Sequence, residues 1–277
     1  MLSYRHSFHA GSAADAVKHI TLVYCLRYLT QKPKPLLCID THAGAGLYDL
    51  HNSTEWKNGA AKLLEPHPQN PADAVRDYLE LINEEGFSTN QRYPGSPLIM
   101  KKLLRRQDRL VCFELHPKDF ISLESVMKPG CEVRNEDGPL SLTSLLPPES
   151  GRGLIFTDPS WEKKDEYTAI PEQIKKALKR FPAGTYIIWY PLLDKPKTVI
   201  QNIGDVFFGI YRGNRCRFEL YNPKAAVTVH SPRGMSGSGI VIYNPPWTLK
   251  PVLQEMLPFL ANVLMDRGDW NLQWNAE

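Results

Sequence analysis

The sequence predicts an α/β fold with a mostly parallel sheet of about seven strands, and three observations carry that reading. Short apolar runs recur along the chain, several closed by an acidic residue and a turn. PLLCID ends at Asp40, LVCFEL carries Glu114, CEVRNEDG reaches Asp137 and GLIFTDP ends at Asp158; TYIIWYP, CRFELY and SGIVIYNPP follow. Helical stretches lie between most of these runs, which is the alternation of strands with crossover helices. Finally, LLCI, LIF and YIIW are continuously apolar, as strands covered on both faces must be.

In chain order, the first ten residues, MLSYRHSFHA, carry Tyr4, Arg5, His6 and His9 and are too polar for a core strand. Taken alone they are either a frayed terminus or an arm ordered over a site. Ser12-Ala-Ala-Asp15 is a capping-box-like helix start, with Asp in place of Glu or Gln. From there AADAVKHITLVYCLRYL reads as a helix, apolar around much of its surface and stopped by Lys32-Pro33. The interval from Asp40 to Leu110 is too long for one crossover. Its middle, including ADAVRDYLELINEE, reads as two or three polar-faced helices between Asn58 and Gln91. They define an inserted helical subdomain, residues 51–92, within a single domain spanning residues 1–277. Further helices are expected over Pro117–Met127, Pro139–Leu146 and Thr168–Phe181, and a last one after Asn244-Pro245-Pro246-Trp247.

Composition sets outer bounds. The 277 residues suffice for one large domain or one domain with an insertion. Thirty-three Lys+Arg against 30 Asp+Glu leave a formal charge of +3, which permits a nucleic-acid partner without arguing for one. Hydrophobic residues at 42% and charged residues at 23% exclude wholesale disorder, collagen-like sequence and a coiled coil. Twenty-three prolines predict stiff connections. The five cysteines are scattered without C-x-x-C spacing, so no metal is expected and a reducing compartment is. The best apolar segment, Ile20 to Leu29, is short and broken by Arg27, which predicts a cytoplasmic protein with no membrane partner. Nothing demands a dimer, and a monomer is expected.

Open α/β sheets bind ligands beyond the carboxyl ends of their strands. Four such ends here offer Asp40, Glu114, Asp137 and Asp158. Asp40 is followed by Thr-His-Ala-Gly-Ala-Gly, which allows close backbone approach but lacks both the Gly-Lys-Ser/Thr of a P-loop and a third glycine, since residue 49 is Asp. Glu114 suits ribose hydroxyls, or else is a helix N-terminal acid ahead of Pro117. Asp137-Gly138 either holds an exocyclic amine or makes a turn. The most specific tetrapeptide is Asp158-Pro159-Ser160-Trp161. It suits chemistry on an adenine amine, whose lone pair is delocalised into the ring. A carboxylate and the Pro159 carbonyl accept its two N–H groups and favour a pyramidal nitrogen, while Trp161 offers a face on which an extruded base stacks.

The segments MLSYRHSFHAG, DTHAGAG, YPGSPLI, FELHP, EDG and NPPW together resemble the RlmJ family of large-subunit rRNA adenine-N6 methyltransferases, from Met1 to beyond Trp247. The resemblance implies a Rossmann-like class I methyltransferase core, S-adenosyl-L-methionine as donor and protein-free 23S rRNA as partner. It places Lys18, His19, His42, Ser96, Glu114, Asp137, Gly138 and Asp158 around the donor, makes Asp158 the catalytic residue, and assigns Tyr4 and His6 to an arm that meets RNA. Read without it, Lys18 and His19 are solvated helix residues and Ser96 is an N-cap. The family pattern at the catalytic turn is Asp-Pro-Pro-Tyr. Here Ser160 replaces a proline, loosening the turn, and Trp161 replaces tyrosine while keeping a stacking face. Asn244-Pro245-Pro246-Trp247 fits such a pattern better by letter, but it ends the last strand and is expected to be structural.

Lys101-Lys102 with Arg105-Arg106, Lys175-Lys176 and Arg212 to Arg217 are either phosphate contacts or solvated faces. The glycine-rich segment around Arg233 either closes over substrate or forms a hairpin loop. The rival function is a non-catalytic or DNA-directed nucleic-acid-handling protein, of the kind linked to use of external DNA. A dehydrogenase fails on the absent third glycine, and a metal hydrolase on the absence of ligand spacing around His42 and His116.

Overall fold

The computed structural model describes residues 6–51, 53–193, 203–223 and 235–275; Tyr4 and Arg233 lie outside them. After a 3-10 turn at His6–Phe8, helix α1 (Ala13–Thr30) begins where the capping pattern puts it, with Ser12 Oγ accepting the Asp15 N–H at 3.3 Å. Val17, Ile20, Leu22, Val23, Cys25 and Leu26 are fully buried, so α1 is apolar on nearly every side because it is a core helix.

Strand β1 (Leu37–Asp40) runs into a loop and the short strand β2 (Leu47–Asp49). Two 3-10 turns, Glu55–Asn58 and Ala60–Leu64, precede helices α2 (Asp73–Glu84) and α3 (Phe87–Asn90). Strand β3 (Arg92–Pro94) then pairs antiparallel with β2. The long interval after Asp40 is therefore mainly helical, with a two-stranded ribbon at its base. Helix α4 (Ser96–Leu103) returns the chain to β4 (Arg109–Phe113). Regular alternation follows: α5 (Pro117–Met127), β5 (Glu132–Arg134), α6 (Gly138–Leu145), β6 (Gly153–Thr157), α7 (Glu166–Arg180) and β7 (Thr185–Leu193). The C-terminal part contains α8 (Ile203–Ile210), β8 (Arg215–Tyr221), β9 (Met235–Tyr243), α9 (Leu249–Leu264) and β10 (Asp269–Asn275).

The main sheet has the order β10-β8-β9-β7-β6-β1-β4-β5. All pairings from β7 to β5 are parallel; those joining β7, β9, β8 and β10 are antiparallel. The expected seven strands are thus eight. The addition is β10, an edge strand paired with β8, whose sequence DWNLQWN is mostly exposed and carries no apolar run. The chain leaves β1 first towards β4 and β5, then returns to the other side for β6 and β7. That reversal opens a crevice at the carboxyl ends of β1, β4 and β6, the place where a doubly wound sheet binds its ligand.

Several basic residues read as possible phosphate contacts are tied internally. Lys101 Nζ donates to the Met127 carbonyl at 2.9 Å, Lys102 pairs with Glu85 at 2.6 Å, and Arg105 holds both Asp108 and the Thr30 carbonyl. Arg217 is buried against Asp205. The cysteines are all free thiols, four of them buried. No helix among the described residues is long and apolar enough to cross a membrane.

Candidate active site

A cleft of about 390 Å³ lies over the strand ends. Its walls are the loop after β1, the turns after β4 and β6, the start of α6, one face of α1 and Trp189 of β7. Ten expected residues line it together: His6, Lys18, His19, His42, Ser96, Glu114, Asp137, Gly138, Asp158 and Pro159. These positions are far apart in sequence; the parallel topology brings the strand-end residues to one edge, where the N-terminal turn, α1 and the start of α4 meet them.

On one side, the backbone fixes the Glu114 carboxylate. Gly44 N–H donates to Oε2 at 2.8 Å and His116 N–H to Oε1 at 2.7 Å. Burial raises its pKa above the ordinary value, and these two N–H groups oppose the rise. Helix α5 is capped instead by His116, so Glu114 is not its N-terminal acid. Gly44 has φ +62°, and a Cβ there would stand 2.1 Å from the Tyr48 hydroxyl. Asp137 caps α6 through Oδ1, which accepts the Leu140 N–H at 3.0 Å, while the residue still lines the cleft. A Cβ on Gly138 would lie 2.2 Å from the Thr41 carbonyl, so the glycine is what lets α6 start against the β1 loop.

Beneath this side lies Asp40, fully buried. Ser96 Oγ donates to its Oδ2 at 2.6 Å and the His42 N–H to Oδ1 at 3.2 Å. Ser96 is the first residue of α4, with Gly95 at the N-cap, so its hydroxyl serves Asp40 rather than capping the helix. Burial pushes the Asp40 pKa to about 7, with nearby Asp158 and Glu114 adding to the rise. Thr41 Oγ1 donates to the Phe156 carbonyl, so the 2.8 Å contact with His42 has Nδ1–H as donor. Burial lowers the His42 pKa to about 3, leaving a neutral ring.

On the opposite side, Lys18 Nζ stands 2.6 Å from Asp158 Oδ2 and 2.8 Å from Asp15 Oδ1. Asp15 Oδ2 accepts the Gly11 N–H at 3.0 Å and meets His6 Nε2 at 2.9 Å. Four charged or titratable groups therefore run from the arm to the strand end. Burial works against the Asp15 carboxylate, but His6 and Lys18 hold its pKa well below the ordinary range. For His6, burial opposes the charge and Asp15 more than offsets it, so its pKa is raised. Burial raises the Asp158 pKa, while Lys18 limits the rise. Lys18 and His19 are buried, not solvated. His19 Nδ1 meets the Tyr93 hydroxyl at 2.7 Å, and burial lowers its pKa to about 3.

Trp161 corrects the sequence reading. It is 5% exposed, packs against Tyr167 at 4.8 Å between ring centroids, and donates Nε1–H to the Trp189 carbonyl. Its φ of +55° turns the side chain into the core, so it presents no stacking face to the cleft. The indole that does line the cleft is Trp189. Ser160 offsets part of the expected loosening, because its Oγ accepts the Glu162 N–H at 3.4 Å. Asn244 sits at the far end of the sheet, where its amide donates to the Pro182 and Gly184 carbonyls at 2.7 Å each and accepts from the Tyr211 hydroxyl. This second motif is structural.

Sequence reasoning passed over Asp15 and Trp189 as site residues and treated Asp40 only as a strand-end acid. The signal for Asp15 was a cap position carrying an acid four residues after Gly11 and three before Lys18. No group of three or more His, Cys, Asp or Glu among the described residues is placed to hold a metal ion.

Comparisons with known proteins give the family of the chain. The family model described as RsmJ, ribosomal RNA large subunit methyltransferase D, RlmJ, matches residues 33–276. A Haemophilus influenzae protein named ribosomal RNA large subunit methyltransferase J is 37% identical over 285 aligned residues, covering 99% of both chains. Its Escherichia coli namesake is 38% identical over 276, covering 97% of this chain and 96% of that one. A crystal structure of a Legionella pneumophila protein, assigned to a family of unknown function, superposes with a TM-score of 0.86 at 34% identity, covering 97% of this chain and 99% of that one. With the family pattern and full-length relatives both matched, this chain belongs to the RlmJ family of ribosomal RNA large subunit methyltransferases.

Proposed function

We propose that the protein transfers methyl from S-adenosylmethionine to the N6 amine of an adenine in 23S rRNA, with Asp158 as the catalytic residue. The observation that carries this reading is the Asp158 carboxylate, held at the end of β6 with an N–H donor already 2.6 Å from Oδ2, in the same cleft as the Glu114–Gly44 pair.

The residues present fit the donor. Both Glu114 oxygens are oriented by backbone N–H groups and keep lone pairs for a ribose diol. Gly44 and Gly138 let the β1 loop and the start of α6 pack closely, since a Cβ at either would meet the Tyr48 hydroxyl or the Thr41 backbone. Lys18, His19, His42, Ser96 and Asp137 line or support the same space. When bound, S-adenosylmethionine supplies an electrophilic methyl on a positively charged sulfur.

This chain then has to orient a poor nucleophile. Asp158 and the Pro159 carbonyl accept the two amine hydrogens, drawing the nitrogen lone pair out of conjugation and towards the donor. Positioning supplies most of the acceleration. The amine becomes cationic on transfer and sheds a proton readily, so Asp158 need not be a strong base. With pKa values lowered to about 3 by burial, His19 and His42 are neutral and would add no positive charge to a cleft that holds a cationic donor. Tyr4 and His6 belong to the arm that meets RNA. The substrate is rRNA free of ribosomal proteins, and a monomer folded as one catalytic domain acts on it.

The test is transfer of labelled methyl from S-adenosylmethionine to protein-free 23S rRNA, with Asp158→Ala beside wild type. N6-methyladenine that disappears in the variant supports the proposal. Donor binding without transfer to RNA favours DNA or the non-catalytic alternative, for which no observation here speaks. Neither binding nor transfer overturns the reading.

A further inference from the structure

Lys18 shares its ammonium between two carboxylates, Asp158 Oδ2 at 2.6 Å and Asp15 Oδ1 at 2.8 Å. Lys18 is 3% exposed and Asp15 1%. Nζ also lies 4.7 Å from the centre of the Trp189 ring. Lys18 lines the cleft, whereas Asp15 stands behind it in the first turn of α1.

The proposed function requires Asp158 to accept hydrogen bonds from an adenine amine, and the following step rests on that reading. An amine that docks on Asp158 Oδ2 takes the position that the Lys18 ammonium holds. A buried ammonium stripped of its partner carries a large desolvation penalty, so it yields only where a second anion is within reach. Trp189 bounds its movement on one side, and Asp15 is already in contact. We propose that Asp15 is a positioning residue that retains Lys18 when the target amine takes Asp158. Lys18 then acts as a stand-in for the substrate amine, keeping the carboxylate charged and oriented until a base arrives. No bond is made or broken in this step; one hydrogen bond is exchanged and the ammonium stays paired.

Asp15→Asn isolates the charge, because asparagine preserves the side-chain shape and an acceptor for Gly11 N–H. Binding of adenosine 5′-monophosphate to the full-length protein, with S-adenosylhomocysteine present, reads base docking without requiring turnover. We expect Asp15→Asn to weaken that binding at least tenfold. It should lower kcat by a similar factor while KM for RNA changes less than threefold. In a Lys18→Met background, the same substitution should change nucleotide binding less than threefold, since no ammonium needs rehousing. Equal losses in both backgrounds, or no loss in either, would overturn the proposal.

Lys18→Met alone keeps the idea testable if Asp15→Asn does not fold. With the competing donor removed, the nucleotide should bind at least as tightly as to wild type; tenfold weaker binding refutes the stand-in role. A wild type that methylates adenine while Asp15→Asn matches it refutes only this inference. A wild type that neither methylates adenine nor binds the nucleotide overturns the functional reading, and this inference with it.

Discussion

Replacing Asp40 with asparagine should stabilise the protein at pH 8 far more than at pH 5. Asp40 is fully buried with a pKa raised to about 7, against an ordinary value of 3.8. A carboxyl whose folded pKa is raised gives stability that is complete below the unfolded pKa and is lost as pH rises through the folded one. The gap of about three pKa units corresponds to roughly 4 kcal/mol at 1.36 kcal/mol per unit. About 3 kcal/mol of that loss falls between pH 5 and pH 8, because at pH 5 the unfolded chain is already mostly ionised. Asparagine does not ionise and still offers an oxygen to Ser96 or to the His42 N–H. The assay is urea unfolding of wild type and Asp40→Asn at both pH values, taking the difference between the proteins so that other titrating groups cancel. A difference that grows by about 3 kcal/mol in favour of the variant from pH 5 to pH 8 is expected. Parallel behaviour would show that Asp40 is ionised at no cost, and would refute the argument from burial.

Two further substitutions test packing, one at the cleft and one in the core behind the Asp158 turn. Gly138→Ala should destabilise by about 3 kcal/mol and weaken donor binding, because its Cβ would press on the Thr41 backbone; an unchanged melting temperature would contradict that. Trp161→Ala should remove about 3–5 kcal/mol of stability, as a core aromatic does, whereas intact stability with weakened RNA binding would restore the stacking role.

The legible part of this protein was the part written in runs and turns. The short apolar runs gave β1, β4, β5, β6, β7, β8 and β9, the capping pattern placed α1, and the helical stretch read from Pro117 coincides with α5. Strand β10 escaped because an edge strand needs a partner's hydrogen bonds and no buried side-chain row. The strand-end carboxylates were readable because parallel topology sends their turns to one edge. What could not be read was direction. Trp161 follows Asp158 by three residues, yet a left-handed φ turns it into the core, and single letters do not encode that. Asp15 looked like half of a capping box; its pair with Lys18 is an i,i+3 contact along α1, whereas its contact with His6 depends on where the arm folds back.

The central position of β1 has a consequence for how the chain is made. Leu37 pairs with Arg109 on one side and with Gly153 on the other, so both edges of this apolar strand stay open while the intervening chain emerges. Parallel pairing between distant segments is slow, and an open apolar edge is a template for wrong partners. Shortened chains ending before Gly153 should therefore aggregate even though α1 and the first strands are complete. The turn at Asp158, proposed above as catalytic, comes into place only as that second edge closes, so the candidate site cannot assemble before β6 has joined β1.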